Sequence, residues 1–393
     1  MRSRHFRLAL TGVVLAVLAT GTLAAASPDS ARPAAPGPAV DTARAAATYA
    51  ALETYLGAKD GSGLFHEQYP VAAADNPYSY EWPLSQVHVA ALDLSVTDPR
   101  YKAKLARADA AQEHYWNAAG GTTGLPGYDS YAVAPYGAGG DMFYDDNEWV
   151  GLEKVQDYLQ SHDTAALHRA EQIFALVRSG WDTDAGHPDP GGVFWTQADW
   201  SQDRNTVSNM PAAELGLRLY RITGKRAYLD AALRFYDWTN TYLQSPSGLY
   251  WDHVDLQGTV EKTVWSYNQG VPIGVNVLLY QATHDRTYLL RAERIAEAAS
   301  AYFGADGRLI AQPPYFDSIW FKNLLLLESV TGGHKYRRAM AGYADQVWST
   351  LRDPRTGLVH FDAGGTTQAI QQAAVAQIYA VLAWPAAKLP TLY

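Results

Sequence analysis

Gly224-Lys225-Arg226-Ala227-Tyr228-Leu229 and His284-Asp285-Arg286-Thr287-Tyr288-Leu289 repeat one short pattern, and Asp98-Pro99-Arg100-Tyr101-Lys102-Ala103-Lys104-Leu105 repeats it again. Each opens a polar, amphipathic segment rich in Ala and Arg. His162-Asp163 and His334-Lys335-Tyr336 open weaker copies, so starts near 99, 163, 226, 286 and 335 lie 64, 63, 60 and 49 residues apart. A period of about 60 holds two helices and two loops, and internal repetition of this kind decides architecture.

More apolar segments lie between the polar ones, beginning near Trp82, Asp146, Thr206, Asn268, Phe316 and Thr367. Asn268 to Tyr280 is apolar around most of its circumference, as a helix buried on many sides must be. Asp146 to Gln160 keeps Trp149, Leu152, Val155 and Leu159 at helical spacing. With a first helix near 43–57, polar outer and apolar inner helices alternate. The fold expected is all-α: an (α/α)6 toroid of about twelve helices in inner and outer rings. A solenoid or irregular bundle is the rival. Gly192-Val193-Phe194-Trp195 and Gly248-Leu249-Tyr250-Trp251 predict brief hairpins in the loops.

The 393 residues are 48% hydrophobic and 18% charged, a globular composition with no cysteine for disulfides or thiolate metal sites. Arg2, Arg4 and Arg7 precede an apolar run to Leu23, and Ala24-Ala25-Ala26 follow. That layout predicts a secretory signal over 1–26, with an uncleaved anchor as the rival. A disordered Pro- and Ala-rich leader is expected over 27–42 and one catalytic domain over 43–393. Removing 1–26 moves the net charge from −9 to −12, which disfavours nucleic acid as a partner. A secreted monomer without stable membrane association is expected.

Inner helices of such a ring run in one direction, so their N-termini meet at one mouth. The residues there are Glu81-Trp82, Asp145-Asp146-Asn147 with Trp149, Asn205 with Ser208-Asn209, Trp265 with Tyr267-Asn268-Gln269, Tyr315 with Asp317 and Trp320, and Thr366-Thr367-Gln368. Asp, Asn, Ser and Thr there are also ordinary helix caps. Capping does not require the aromatic rings beside them, and 12 Trp and 26 Tyr exceed what a helical core needs. Flat rings mixed with amides and carboxylates describe a glycan cleft. Within Phe143-Tyr144-Asp145-Asp146-Asn147-Glu148-Trp149, a helix N-terminus favours one ionised carboxylate. That charge raises the pKa of its neighbour, so the pair can divide nucleophile and acid work. A retaining separation of about 5–5.5 Å would place Asp145 at or before the cap.

Tyr144-Asp145-Asp146-Asn147-Glu148-Trp149 resembles the Asp-Asp signature of glycoside hydrolase family 76, the endo-α-1,6-mannanases. Gly191-Gly192-Val193-Phe194-Trp195, Arg204-Asn205-Thr206-Val207-Ser208-Asn209 and Trp265-Ser266-Tyr267-Asn268-Gln269-Gly270 resemble further family segments in the same order. The resemblance implies an (α/α)6 fold and retaining cleavage of α-1,6-linked mannan without a cofactor or metal. It implies Asp145 as nucleophile and Asp146 as acid/base. Trp195, Asn209, Tyr267, Asn268 and Gln269 would line the cleft, with Tyr144 and Trp149 as flanking aromatics. Glu148 departs from it, standing where many relatives carry Gly.

Rival functions are a transglycosylase or a non-catalytic glycan-binding protein on the same fold. Sugar epimerisation would call for paired His at the mouth, and no two His begin inner helices. Asp182, Asp184 and Asp189 lack a full calcium loop and predict a turn.

Overall fold

The computed structural model describes residues 37–393. In chain order the helices are α1 (Pro38–Tyr55), α2 (Glu81–Ser95), α3 (Lys102–Gln112), α4 (Tyr144–Ser161), α5 (Thr164–Ser179) and α6 (Thr206–Thr223). They continue with α7 (Arg226–Tyr242), α8 (Tyr267–Thr283), α9 (Arg286–Phe303), α10 (Pro314–Thr331), α11 (Lys335–Gln346) and α12 (Ala369–Leu382). The even-numbered helices form the inner ring: α2 packs on α4, and contact passes through α6, α8, α10 and α12 back to α2. Every residue of α8 from Tyr267 to Leu279 is buried. Outer α9 buries only one stripe, Ala292, Ile295, Ala296, Ala299 and Phe303, at helical spacing. This is the (α/α)6 toroid.

The repeated motif opens the outer helices, with α5, α7, α9 and α11 starting at Thr164, Arg226, Arg286 and Lys335, and it also ends the inner helix before each of the first three. His162 and His284 end α4 and α8 in the left-handed conformation, at φ 62° and 59°, and Gly224 ends α6 at φ 70°. Their N–H groups close the last turn onto the carbonyls of Tyr158, Tyr280 and Tyr220. Asp163 and Asp285 follow as N-caps, accepting from the N–H groups of Ala165 and Thr287. A left-handed stop followed at once by a cap reverses the chain in two residues.

One domain boundary is corrected. Helix α1 begins at Pro38, within the leader expected over 27–42, because proline suits the first helical position, where no N–H is needed. Residues 1–36, including the signal expected over 1–26, lie outside the described residues.

Four inner helices carry a buried carboxamide in the first turn that grips the backbone of the preceding loop. Asn147 accepts from the Tyr128 N–H (2.7 Å) and donates to the Tyr128 carbonyl (2.9 Å). Asn209 does the same to Val193, at 2.9 and 3.3 Å. Gln269 does so to Tyr250, at 2.7 and 3.0 Å. Gln372 accepts from the Val359 N–H (3.0 Å) and donates to the carbonyls of Gly357 and Thr48. An amide presents one donor side and one acceptor side, which matches the free edge of an extended residue whose other edge faces a strand or bridge partner. The loops thus held include the small sheet of Asp203–Asn205, His253–Asp255 and Val260–Glu261.

Below the mouth the ring axis is polar. Lys322 pairs with Asp93 (3.0 Å), which also accepts from Gln156, and Arg218 pairs with Glu214 (2.7 Å). The far end is covered by Ala386–Thr391, which packs on α10 and α4. There Arg218 donates to the Leu392 carbonyl, and the Tyr393 ring lies 4.5 Å from the Lys322 ammonium. Asn209→Ala strands both backbone groups of Val193 in the core. It should cost about 2–4 kcal/mol, read as a lower urea midpoint. An unchanged midpoint would contradict the clamp.

Candidate active site

Helix α4 starts at Tyr144, with Phe143 as an N-cap that makes no side-chain bond. Asp145 and Asp146 therefore occupy the second and third helical positions, not the cap position that the retaining spacing called for. Free N–H groups and the positive end of the helix dipole still surround them. Asp145 is 9% exposed, and its Oδ2 accepts from the Trp195 indole N–H at 3.1 Å. Its Oδ1 is buried without a protein partner. Asp146 is half-buried.

The two carboxylates differ in environment. Burial raises the pKa of Asp145, while the Trp195 bond and the backbone N–H groups of Asp146 and Asp145 pull it back. Burial raises Asp146 well above the ordinary range, and the Asp145 charge beside it adds to the rise with nothing opposing it. The pair titrates as a unit in which Asp145 is the site better suited to the negative charge.

Two further carboxyls close round the pair. Glu148, one turn along α4 from Asp145, and Glu81, at the start of α2, are fully buried, and none of their carboxylate oxygens has a protein hydrogen-bond partner. Burial, then the neighbouring Asp charges, raises both well above the usual value. Buried in this way, both are held neutral.

Aromatic rings rim the mouth. Tyr267 lies face to face on Phe316, with centroids 3.9 Å apart and planes at 2°. Trp265 and Trp82 pack on the same Phe316. Beside Asp145, Trp195 packs edge-on to Phe143 and Trp200. Asn268 donates to Asp252 (3.1 Å), which also bonds His253 (3.0 Å). Burial lowers the pKa of His253, but the Asp252 bond and charge outweigh it and the net shift is upward. Asp203 and Asp252 are acidic groups of this mouth that the sequence did not single out, because three-residue strands in loops, one beginning at Asp203 and one just after Asp252, carry no periodic signal.

The loop carrying Trp195 depends on two features. Gly191 and Gly192 have φ of 100° and 82°, and a Cβ on either would lie 2.5 Å from the rings of Trp181 and Trp238 respectively. The fully buried Arg204 guanidinium donates to the Asp182 carboxylate and to the carbonyls of Pro188, Asp189, Gly191 and Asp255. Asp182 is thus taken by Arg204 and His187. Among the described residues no three His, Asp or Glu side chains converge as metal ligands.

Trp195, Tyr267 and Asn268 come to the same end as the Asp pair. Four residues expected to line the cleft do not. Asn209 and Gln269 are wholly buried and spend their amides on the loop clamps. Tyr144 is 3% exposed, with its ring against Gly180 on the outer-helix side. Trp149, at 1%, is core. Tyr144 precedes Asp145 by one position, about 100° round the helix, and so turns away from the mouth, whereas Trp149 lies about one turn further along α4, deeper in the ring.

The family model for glycosyl hydrolase family 76 matches residues 39–349. The chain belongs to glycosyl hydrolase family 76. A mannan endo-1,6-α-mannosidase of Candida glabrata is 31% identical over 144 residues, covering 33% of this chain and 32% of the relative. One from Saccharomyces cerevisiae is 28% identical over 146 residues, covering 35% and 32%. The match spans about a third of the length of these relatives. A family 76 mannosidase from Bacteroides thetaiotaomicron superposes with a TM-score of 0.77 at 24% identity, over 88% of this chain and 98% of that one. An inactive α-1,6-mannanase variant of Salegentibacter sp. HEL1_6, with two consecutive Asp replaced by Asn and α-1,6-mannotriose bound, gives 0.70 at 20% identity, over 87% and 99%. These structures share the family 76 fold.

Glu148 and Glu81 hold protons in the folded state that the unfolded chain releases above about pH 4.5. Raising the pH through that value therefore favours unfolding, and the loss continues up to the raised folded pKa values. Glu148→Gln should flatten the fall in melting temperature between pH 5 and 8. A slope equal to that of the unsubstituted protein would show that Glu148 is ionised in the folded state.

Proposed function

We propose that this protein is an exported glycosidase that hydrolyses α-1,6-mannosidic linkages of mannan by retaining double displacement, although Asp145 lies one step inside α4 and not at the cap that the retaining spacing called for. The observation that carries the proposal is the unequal Asp145–Asp146 pair at the N-terminus of α4, within an aromatic-rimmed mouth. Asp146, the carboxyl more strongly held protonated, gives its proton to the glycosidic oxygen as that bond breaks. Asp145, the better-stabilised anion, attacks the anomeric carbon to form a glycosyl ester. Asp146 then takes a proton from water, whose oxygen displaces Asp145. Neutral Glu148 and Glu81 keep further negative charge away from the pair.

The relatives support the substrate. The two yeast proteins are named mannan endo-1,6-α-mannosidases, and the Salegentibacter mannanase variant changed at two consecutive Asp is inactive and holds α-1,6-mannotriose. The Arg-led apolar segment over 1–26 supports export. No helix among the described residues is long and apolar enough to cross a membrane.

Linear α-1,6-mannan should yield shorter manno-oligosaccharides, and the anomer seen first by proton NMR should be α. Asp145→Asn and Asp146→Asn should each keep the fold and lose activity by about 10³-fold or more. The rate should follow a bell in pH. Its acid limb marks protonation of the nucleophile and its alkaline limb loss of the acid, both displaced above the ordinary carboxylate range. A β-anomer appearing first, or full activity in either variant, would overturn the mechanism.

A further inference from the structure

Trp200 and Tyr80 are the most exposed aromatic side chains among the described residues, at 49% and 46%. Both stand on the rim of the mouth, on opposite flanks of α4. Trp200 lies in the loop feeding α6, edge-on to Trp195 (6.2 Å, 85°) and near Phe143 (5.9 Å). Trp195 in turn bonds Asp145. Tyr80 immediately precedes Glu81, where α2 begins.

Each ring is fixed without being covered. The Trp200 indole N–H donates to Asp141 at 2.9 Å. The Tyr80 hydroxyl accepts from Asn76, its N–H donates to Glu67, and its ring meets Tyr131 edge-on at 5.6 Å. One loop braces both positions: the Ser130 carbonyl accepts from Glu81 N–H, and the Ser130 N–H donates to the Asp141 carbonyl. Large rings normally gain their stability from burial, whereas these two are oriented by polar bonds with much of their surface left open. A rigid open ring beside carboxylates suits the apolar face of a pyranose.

We propose that Trp200 and Tyr80 are stacking platforms for two outlying mannose subsites, one on each side of the Asp145–Asp146 pair, so that the polymer is held across the scissile bond from both directions. This rests on the hydrolase function proposed above.

Trp200→Ala and Tyr80→Ala are tested on linear α-1,6-manno-oligosaccharides of increasing length, labelled at the reducing end. kcat/KM should fall about tenfold on the longest chains and least on the shortest, the scale of one lost aromatic contact. The preferred cleavage position should move in opposite directions in the two variants, and Trp200→Phe should recover most of the loss. A loss equal at every length, no loss at any length, or a shift in the same direction in both variants would overturn the platforms. Binding separates this outcome from failure of the hydrolase function. With Asp146→Asn as background, Trp200→Ala should weaken binding of a long oligosaccharide more than of a trisaccharide, whether or not the parent protein cleaves either. Equal affinities with and without Trp200 would count against the platforms alone.

Discussion

The grip of a buried carboxamide on a loop backbone is the interaction on which the mouth depends. Asn147, Asn209, Gln269 and Gln372 each stand in the first turn of an inner helix and satisfy both backbone groups of a loop residue, or a close equivalent. Each clamped residue has a strand or bridge partner on one side only, and the groups on its other edge would otherwise enter the core unpaired. Because each amide belongs to an inner helix, each loop is placed relative to the helix start that bears the chemistry. Trp195 is an example. Asn209 holds Val193, Arg204 holds the turn before it, and the Trp195 indole then reaches Asp145 two residues beyond the clamp.

Electrostatics at the pair follow from the same packing. A helix N-terminus alone would lower both carboxyls. Burial reverses the sign, and the Trp195 indole bond together with backbone N–H bonds then separates Asp145 from Asp146. The cost of keeping four acidic side chains together is met by leaving most of them protonated.

Repetition made the fold legible. Starts inferred for the inner helices at Trp82, Asp146, Thr206, Asn268, Phe316 and Thr367 fall within two residues of the observed ones, because the alternation of polar and apolar helices is written in side-chain periodicity. Individual roles at the mouth were less legible. An amide beside an aromatic looks the same in sequence whether it faces a ligand or a backbone, so the sequence points Asn209 and Gln269 to the cleft, whereas they hold loops. Tyr144 flanks the pair in sequence but is turned away from it by one helical step, and Trp149 sits a turn deeper along α4 in the core. Trp200 and Tyr80 gave no sequence signal, since exposure in an irregular loop depends on distant contacts such as that with Asp141.

The segment from Ala386 to Tyr393 gives the ring a floor. With Leu392 and Tyr393 buried against Arg218 and Lys322, a glycan cannot thread the central axis as it would a tunnel. Under the hydrolase function proposed above, a polymer lies across the open rim, and after scission both fragments can lift away sideways. Such a geometry favours scattered, non-processive cuts over sliding along one chain, and leaves substituents on the outward sugar faces free in solvent.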